Sequence, residues 1–412
     1  MRNMPQELAD HVLDYHHADV KTLQSASLVC RSWSLSCRVH LFNKLDLCIF
    51  DARTVTRQFQ HDDLDHSCDI ALRKFERLDA ILYEDPTISR FVHEVEVDGS
   101  FEQSKSLRAL VEGALARILT KVAAMTIRIR HLSWGQLSSP FRHSLIFACC
   151  SSSVSELEIW NCQIPTSALV HLWGSPYGLK RLKISHLRKA TEDVDDMPIT
   201  PIIPPTSEDN HFVTTLHHLE TLVIETSLMG LILRLLVEAN YTIDLQTLRH
   251  LQISHVDDIS SVSLFIRVAG HHIETLEMWG PSSPDVLCGV HESIDLRYTP
   301  RLQNLRLLGV LWSPTSSPAD CLNAMFDNIQ ETYRMSHLYI LLSVVKKPRQ
   351  KLNWNGWRSI DRTLTRSYFS ALQHVEVVIH LSSAGPKALN LGKLANHFPE
   401  LSKRGILSLR CQ

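Results

Sequence analysis

The most regular feature of the chain is an apolar pattern that recurs from residue 92 to residue 377. Each instance has an apolar residue, two other residues, an apolar residue, one other residue and a third apolar residue. Because alternate side chains of a strand face opposite sides, each instance predicts a short β-strand with one buried face. A further strand is expected at Ile406 to Leu409. The ten instances are Val92/Val95/Val97, Ala124/Ile127/Ile129, Val154/Leu157/Ile159, Leu179/Leu182/Ile184, Leu219/Leu222/Ile224, Leu248/Leu251/Ile253, Ile273/Leu276/Met278, Leu302/Leu305/Leu307, Met335/Leu338/Ile340 and Leu372/Val375/Val377.

The segments between these strands have the spacing of amphipathic helices. Strands that alternate with helices predict a parallel sheet with right-handed crossovers. The expected fold class is therefore α/β, with an irregular solenoid built on a parallel sheet. A preceding helix is expected between residues 62 and 90, ending before Asp85-Pro86. The predicted intervening helices are Leu107 to Leu119, Ser167 to Trp173, Leu228 to Ala239, Val262 to Val268, Ser317 to Tyr333, Leu364 to Leu372 and Lys387 to Phe398.

The strand pattern resembles the core of the leucine-rich repeat, although the repeats are longer and less even than is common. The ninth position of that motif is usually Asn or Cys. It is Cys162 in one repeat, but none of the other repeats named below has Asn or Cys there, so an Asn ladder along the array is not expected. In other repeats the same position holds Leu187, Ser227, Val256, Pro281 and Val310.

The first 45 residues have a different pattern, in which apolar residues fall on more than one helical face. Pro5 suits the first turn of a helix, and Asp19 can cap a second helix. A third short turn is expected to end near Leu45. A segment of about 40 residues rarely buries its own apolar side chains, so another surface is expected to cover part of them. Helix one carries Leu8, Val12 and Tyr15 on one face, the stripe of helix two holds Val20, Leu23, Ala26, Ser27 and Cys30, and Leu28, Val29 and Trp33 lie off that stripe.

This segment resembles the F-box, especially as it occurs in proteins of mushroom-forming fungi. The resemblance implies docking on Skp1, the adaptor that joins a substrate receptor to a cullin-based ubiquitin ligase. The alternative is an ordinary helical cap for the rest of the chain. The matching pieces are Met4-Pro5-x-Glu7-Leu8, Val12-Leu13, Thr22-Leu23, Ser27-Leu28-Val29-Cys30-Arg31-Ser32-Trp33, Arg38 and His40-Leu41-Phe42. The residues that the resemblance assigns to Skp1 binding are Pro5, Leu8, Val12, Leu13, Leu23, Leu28, Val29, Cys30 and Trp33.

Three regions follow from these patterns: residues 1–46 as the F-box, 47–90 as a helical linker into the repeats, and 91–412 as a repeat domain that binds a target protein. The expected function is that of a non-catalytic substrate receptor in a ubiquitin ligase. The alternative is a repeat scaffold that binds partners without a cullin. A hydrolase ranks behind both, because the sequence shows no nucleophile elbow, phosphate-binding Gly loop or paired catalytic carboxylates.

Side chains between the apolar positions of each strand are expected to face outward and to form a mostly polar surface. Trp, Tyr and Arg are the usual anchors of protein interfaces. Each Trp could instead fold over a neighbouring loop. The residues expected to contact a target are Trp160, Arg181, Lys183, Trp279, Arg306 and Tyr339.

Composition narrows the choice of partners and compartment. The formal net charge is −2 over 412 residues, so no global field favours nucleic acid or an anionic membrane. Ten cysteines occur without a CxxC pair, which indicates reduced thiols. With no signal peptide or long apolar run, we expect a cytoplasmic or nuclear protein. The 23 histidines include doublets, but their spacing is not that of metal ligands, so no cofactor or metal is expected.

Overall fold

The computed structural model describes residues 5–48, 61–99, 105–173, 178–189, 217–238, 243–254, 258–280, 294–312, 318–327, 329, 333–344, 356–381 and 391–411. The chain divides into two compact units. The first contains Met1–Leu179 and Leu187–His217, and the second contains Lys180–His186 and His218–Gln412.

The first unit combines three N-terminal helices with a parallel four-stranded sheet. Its strands pair in chain order, β1 to β4, so each strand lies beside the next. The strands are β1 Lys44–Cys48, β2 Glu94–Asp98, β3 Thr126–Arg130 and β4 Glu156–Trp160. The helices are α1 Gln6–Tyr15, α2 Val20–Ser27, α3 Arg31–Phe42, α4 His61–Glu84, α5 Lys105–Leu119, α6 Ser139–Cys149 and α7 Thr166–Trp173, with 3-10 turns at Pro86–Phe91 and Trp134–Gln136.

The second unit is built on eight strands, β5 to β12, which also pair in parallel and in chain order. The strands are β5 Arg181–Ser185, β6 Thr221–Glu225, β7 His250–Ser254, β8 Thr275–Trp279, β9 Asn304–Trp312, β10 His337–Val344, β11 His374–Leu381 and β12 Leu407–Cys411. The helices are α8 Met229–Glu238, α9 Ile259–Ala269, α10 Pro318–Asp327, α11 Trp357–Leu364, α12 Leu391–Ala395 and α13 Pro399–Lys403. Shorter pieces are the 3-10 turns Leu245–Thr247, Gly270–His272, Leu296–Tyr298 and Ser367–Phe369 and the two-residue strands His217–His218 and Ile243–Asp244.

The apolar triplets form the strands and the core that lies beneath them, as predicted. Every residue of the ten triplets is at most 5% exposed. The α/β fold with parallel sheets is therefore confirmed in both units. The strand expected at Ile406 to Leu409 is also present, as Leu407–Cys411.

The strand β1 was not predicted, because residues from 46 onward were expected to lead away from the helices, whereas Lys44–Cys48 joins the sheet beside the first predicted strand. Leu45 and Leu47 lie opposite Val95 and Val97 in the β1–β2 pair, and both are buried. The same apolar spacing was present as Phe42/Leu45/Leu47 but was taken for a helix end. The predicted limit of the first region at residue 46 therefore falls inside a strand.

Several predicted helices differ from the structure. The helix expected at Leu364 to Leu372 is wrong, because the helix is Trp357–Leu364 and only a 3-10 turn follows it. The helix expected to reach Tyr333 ends at Asp327, and its expected cap Ser317 lies outside the described residues. Of the last predicted helix, Lys387 to Phe398, the structure shows Leu391–Ala395 as helical, and a separate helix begins at Pro399, after the predicted end. Helix α6 was not predicted, although Pro140 and the buried residues Phe141 and Leu145 follow helical rules.

The ninth position of the repeat holds a buried residue in several repeats, whereas Ser227 is exposed. Leu132, Cys162 and Val310 are each at most 7% exposed. The Leu132 N–H donates to Cys162 Sγ at 3.4 Å, and this sulfur lies 3.2 Å from the Trp160 carbonyl. Burial raises the pKa of the Cys162 thiol to about 12. This cysteine is therefore a packing residue rather than a reactive thiol.

Helices α8 and α9 are joined by an ion pair and a helix cap. The Asp258 carboxylate accepts the backbone N–H of Ser261 at 3.1 Å, and the Ser261 hydroxyl at 2.6 Å. Arg234 Nη2 lies 2.6 Å from the same carboxylate. The Ser261 hydroxyl lowers the pKa of Asp258, burial opposes this, and Arg234 lowers it further. A Cβ at Gly230 would lie 2.6 Å from Asp258 Oδ2, so this contact needs a glycine.

The lowered pKa predicts how this contact depends on pH. Stabilisation by the ionised Asp258 is complete above the unfolded-state pKa of about 3.9 and disappears as the pH falls through the lower folded-state value. The variant Asp258→Asn keeps a side chain that can cap α9 but loses the ion pair with Arg234, so it should be less stable than wild type by about 0.5 kcal/mol near neutral pH, and the difference should shrink below about pH 4. Urea unfolding at a series of pH values measures this, and a difference independent of pH would contradict it.

Candidate functional site

The three N-terminal helices share a small apolar core of their own. It is formed by Leu13, Leu23, Ala26 and Cys37, with Trp33 and Leu41 packed against it. Asp19 caps α2 as predicted, since its side chain accepts the Thr22 N–H at 3.2 Å. Leu13 and Leu23 were assigned to Skp1 binding, but in this structure they are at most 2% exposed. They hold the helices together, and the partly buried Trp33 does so in part.

Other apolar side chains of these helices are exposed to solvent. Leu8 is 57% exposed, Val12 46%, Leu28 86% and Val29 64%. Pro5 and Cys30, which were assigned to the same role, are also exposed. Residues such as Leu28, which is almost fully exposed, are costly to leave in water. The structure therefore presents six of the nine residues that the F-box resemblance assigned to Skp1 binding.

Sequence reasoning did not assign four further exposed apolar residues to this surface. They are Tyr15, Val20, Leu35 and Val39. Leu35 and Val39 are four residues apart on α3, so they lie on one face of that helix. Tyr15 continues the line of Leu8 and Val12 on α1. The i, i+4 spacing on α3 was the available signal. We use the name exposed apolar face of α1–α3 for these four residues together with Leu8, Val12, Leu28 and Val29, because all eight are exposed apolar side chains of this segment.

Helix α1 is apolar on two neighbouring faces, and this explains why the face is exposed. Ala9 and Leu13 lie on the inner face and are buried. Leu8 directly precedes Ala9, and Val12 directly precedes Leu13, so each lies about 100° around the helix axis from its buried neighbour. One helix cannot bury both faces against α2 and α3, so the second face remains in solvent.

Polar contacts fix these helices to each other and to the remainder of the first unit. Asp10 Oδ1 accepts the Ser36 hydroxyl at 2.6 Å and joins α1 to α3. Arg38 Nη1 on α3 lies 2.9 Å from the carboxylate of Asp85, the residue that follows α4. The Asn43 carbonyl accepts the backbone N–H groups of His93 and Glu94, at 2.9 and 3.0 Å. The exposed apolar face is therefore carried on a fixed support.

The outer face of the first unit's sheet carries a ladder of ion pairs. Lys44 Nζ lies 2.8 Å from Glu94 and 2.6 Å from Glu96. Arg128 pairs with Glu94 and, at 3.0 Å, with Glu158. These contacts link four parallel strands through their outward side chains. These partly buried pairs form a network across the strands, and such a network favours one register.

The expected target-contact residue Trp160 lies at the end of β4 in the first unit and is half-buried. Its ring packs edge-on against His131, with centroids 4.5 Å apart. His131 Nδ1 in turn lies 3.1 Å from Asp98. His131 and Asn161 have positive φ angles of 49° and 50°, one residue after β3 and β4 respectively. Trp160 therefore packs on the turn that ends the neighbouring strand, as the alternative interpretation of the two Trp residues described.

The other five expected contact residues lie in the second unit, and the structure brings three of them together. Arg306 Nη1 lies 2.9 Å from Glu277, and its guanidinium lies over the Tyr339 ring at 5.1 Å. Trp279 Nε1 donates to the same Glu277 at 3.1 Å and remains 42% exposed. Arg181 and Lys183 lie on β5, at the far side of this sheet.

The histidines do not form a metal centre among the residues that the structure describes. His337 and His374 are lateral neighbours on β10 and β11, with ring centroids 6.3 Å apart. Across the described ranges, no group of three or more His, Cys, Asp or Glu residues has the geometry to hold a metal ion. Within the same ranges, no helix is long and apolar enough to cross a membrane.

No protein-family model matches the chain, and no curated protein sequence matches it at a significant level.

Proposed function

We propose that this protein is the substrate receptor of a cullin-based ubiquitin ligase. In this proposal α1–α3 form an F-box that docks on Skp1, and the outer sheet faces bind a target protein. The observation that carries the proposal is the exposed apolar face of α1–α3. It coincides with the segment whose Pro-x-Glu-Leu and Leu-Val-Cys-Arg-Ser-Trp motifs resemble the F-box.

The energetics of the exposed face support binding by a folded protein. Complete burial of a Leu or Val side chain contributes roughly 1.5 to 3 kcal/mol. Because these four side chains are between 46% and 86% exposed, burying Leu8, Val12, Leu28 and Val29 together would contribute roughly 4 to 8 kcal/mol. This is comparable with the roughly 4 to 15 kcal/mol that association costs in lost freedom of motion. The small core beneath the face keeps it in place before binding. An adaptor would therefore meet a preformed surface.

The proposal assigns no chemical step to this chain. The outer sheet faces consist of ion pairs and a few aromatic side chains, which can hold a partner in position. Transfer of ubiquitin would be carried out by the other subunits of the ligase. A repeat scaffold that binds Skp1 without a cullin remains the second candidate, because the same exposed face would serve it.

Binding to purified Skp1, followed by addition of a cullin, tests the proposal. We expect the full chain to form a stable complex with Skp1 in size-exclusion chromatography, and this complex to bind the cullin. Binding of Skp1 without recruitment of the cullin would favour the scaffold. If the folded chain showed no binding to Skp1, the F-box assignment would be wrong.

A further inference from the structure

The outer face of β8 to β12 carries a row of side chains in exact lateral register. Glu277, Arg306, Tyr339 and Glu376 are successive partners across four strands. Neighbouring strands are about 4.8 Å apart, so one extended partner segment lying across the strands could contact all four side chains.

The two acidic side chains in this region lie beneath basic ones. The Glu277 side chain is 14% exposed, whereas that of its partner Arg306 is 48% exposed. Glu376 is 17% exposed, and its partner Arg410, at 3.2 Å, is 64% exposed. A molecule that approaches this face therefore meets guanidinium groups first, although the number of charges is balanced.

The adjacent row adds further hydrogen-bond donors. Asn304, His337 and His374 are lateral partners, and each lies two residues before a member of the first row. His337 is exposed, and the His374 side chain is 43% exposed. Amide and imidazole N–H groups donate well to carboxylate oxygens.

Arg306 is held in position before any partner binds. Its ion pair with Glu277 and its contact with the Tyr339 ring restrict the guanidinium from two sides. A group that is already ordered loses less entropy on binding, and a guanidinium can bind a carboxylate through two parallel hydrogen bonds. Trp279 adds an exposed apolar surface beside the same Glu277.

We propose that the outer face of β8 to β12 binds an acidic segment of a partner protein, with Arg306 as the central contact. This inference rests on the proposed function and deepens it, because it gives the chemical class of the target that the repeat surface takes. A segment with Asp and Glu side chains and an apolar residue beside them complements the exposed arginines, Trp279 and the hydrogen-bond donors of the adjacent row, which are Asn304, His337 and His374.

Nucleic acid is a poorer match for this face. Among the described outward residues of β8 to β12, the guanidinium groups belong to Arg306 and Arg410 alone, and each has a carboxylate directly beneath it. Binding to a phosphate backbone normally uses many cations along a continuous track. Two exposed arginines, each paired with a carboxylate, suit a short acidic segment better.

Fluorescence anisotropy with labelled peptides tests the inference on the full chain. The probes are a short oligoglutamate peptide with a leucine at each end, an oligolysine peptide of the same design, and a single-stranded oligothymidine of similar length. The variant Arg306→Glu reverses the central charge. Arg362→Glu makes the same change at an exposed position of α11 and serves as the matched control.

We expect the oligoglutamate peptide to bind in preference to both other probes, more weakly as salt is added. Arg306→Glu should weaken this binding about tenfold or more, whereas Arg362→Glu should leave it nearly unchanged. The inference is overturned if the acidic peptide does not bind, if both variants weaken it equally, or if oligothymidine binds as well. Skp1 binding, measured on the same preparations, depends on α1–α3 and reports failure of the proposed function separately.

Discussion

Replacing Leu28 and Val29 together with aspartate should abolish most of the binding to Skp1 while the chain stays folded. The two side chains are 86% and 64% exposed, so they contribute little to the stability of the free protein. If both are buried in the complex, the loss is roughly 2 to 4 kcal/mol, which corresponds to a weakening of about thirtyfold or more. Two charges at an apolar interface add a desolvation cost. Isothermal titration of the full chain with Skp1 measures the change.

The matched control is the double variant Leu231→Asp with Leu264→Asp. These leucines are 40% and 44% exposed on α8 and α9 of the second unit. They undergo the same chemical change away from α1–α3, so we expect Skp1 binding to be unchanged. Equal binding by wild type and the Leu28→Asp, Val29→Asp variant would show that this corner is not the docking surface. Trp33 is unsuitable for such a test, because it packs against the core of the helices.

Replacing Asp361 with alanine is expected to be the most destabilising single change in the second unit that we consider. Asp361 lies on α11 and is 1% exposed. Its two carboxylate oxygens accept the backbone N–H groups of Glu400 and Leu401, at 3.0 and 2.9 Å, where α13 begins. Asp361→Ala leaves both N–H groups without this acceptor. We expect a loss of about 2 to 4 kcal/mol in the free energy of unfolding.

Urea unfolding monitored by circular dichroism measures the loss, and tryptophan fluorescence adds a local probe. Trp357 on the same helix is fully buried and packs edge-on against Phe398, with ring centroids 5.6 Å apart. The control Asp320→Ala removes an exposed carboxylate at the start of α10 and should cost less than about 1 kcal/mol. A loss for Asp361→Ala no larger than that of the control would show that the buried cap contributes little.

The strands could be predicted from sequence because their apolar spacing leaves few alternatives. Two apolar residues at alternate positions, with a third apolar residue three positions upstream, place one face of the strand in the core. Every residue of the ten triplets is buried. Helices between the strands were harder to predict, because short apolar runs fit more than one starting point. At Trp357 the available signal was Gly356, which has a φ of 83° and directly precedes the helix.

The docking residues could be predicted only in part, because sequence spacing does not show which face of a helix is buried. Leu8 and Leu13 are both apolar residues of α1, yet one is exposed and the other is in the core. The difference comes from packing against α2 and α3. Similarly, the grouping of Arg306 with Tyr339 depends on lateral register, which is set across the sheet by residues far apart in sequence.

The direct passage from α3 into β1 has a mechanical consequence. One residue, Asn43, separates Phe42 from Lys44, and its carbonyl is engaged by two N–H groups of the neighbouring segment. This junction therefore contains no flexible linker that would let the helices move relative to the sheet. A protein bound to α1–α3 would therefore be held in a fixed orientation relative to the sheet of the first unit.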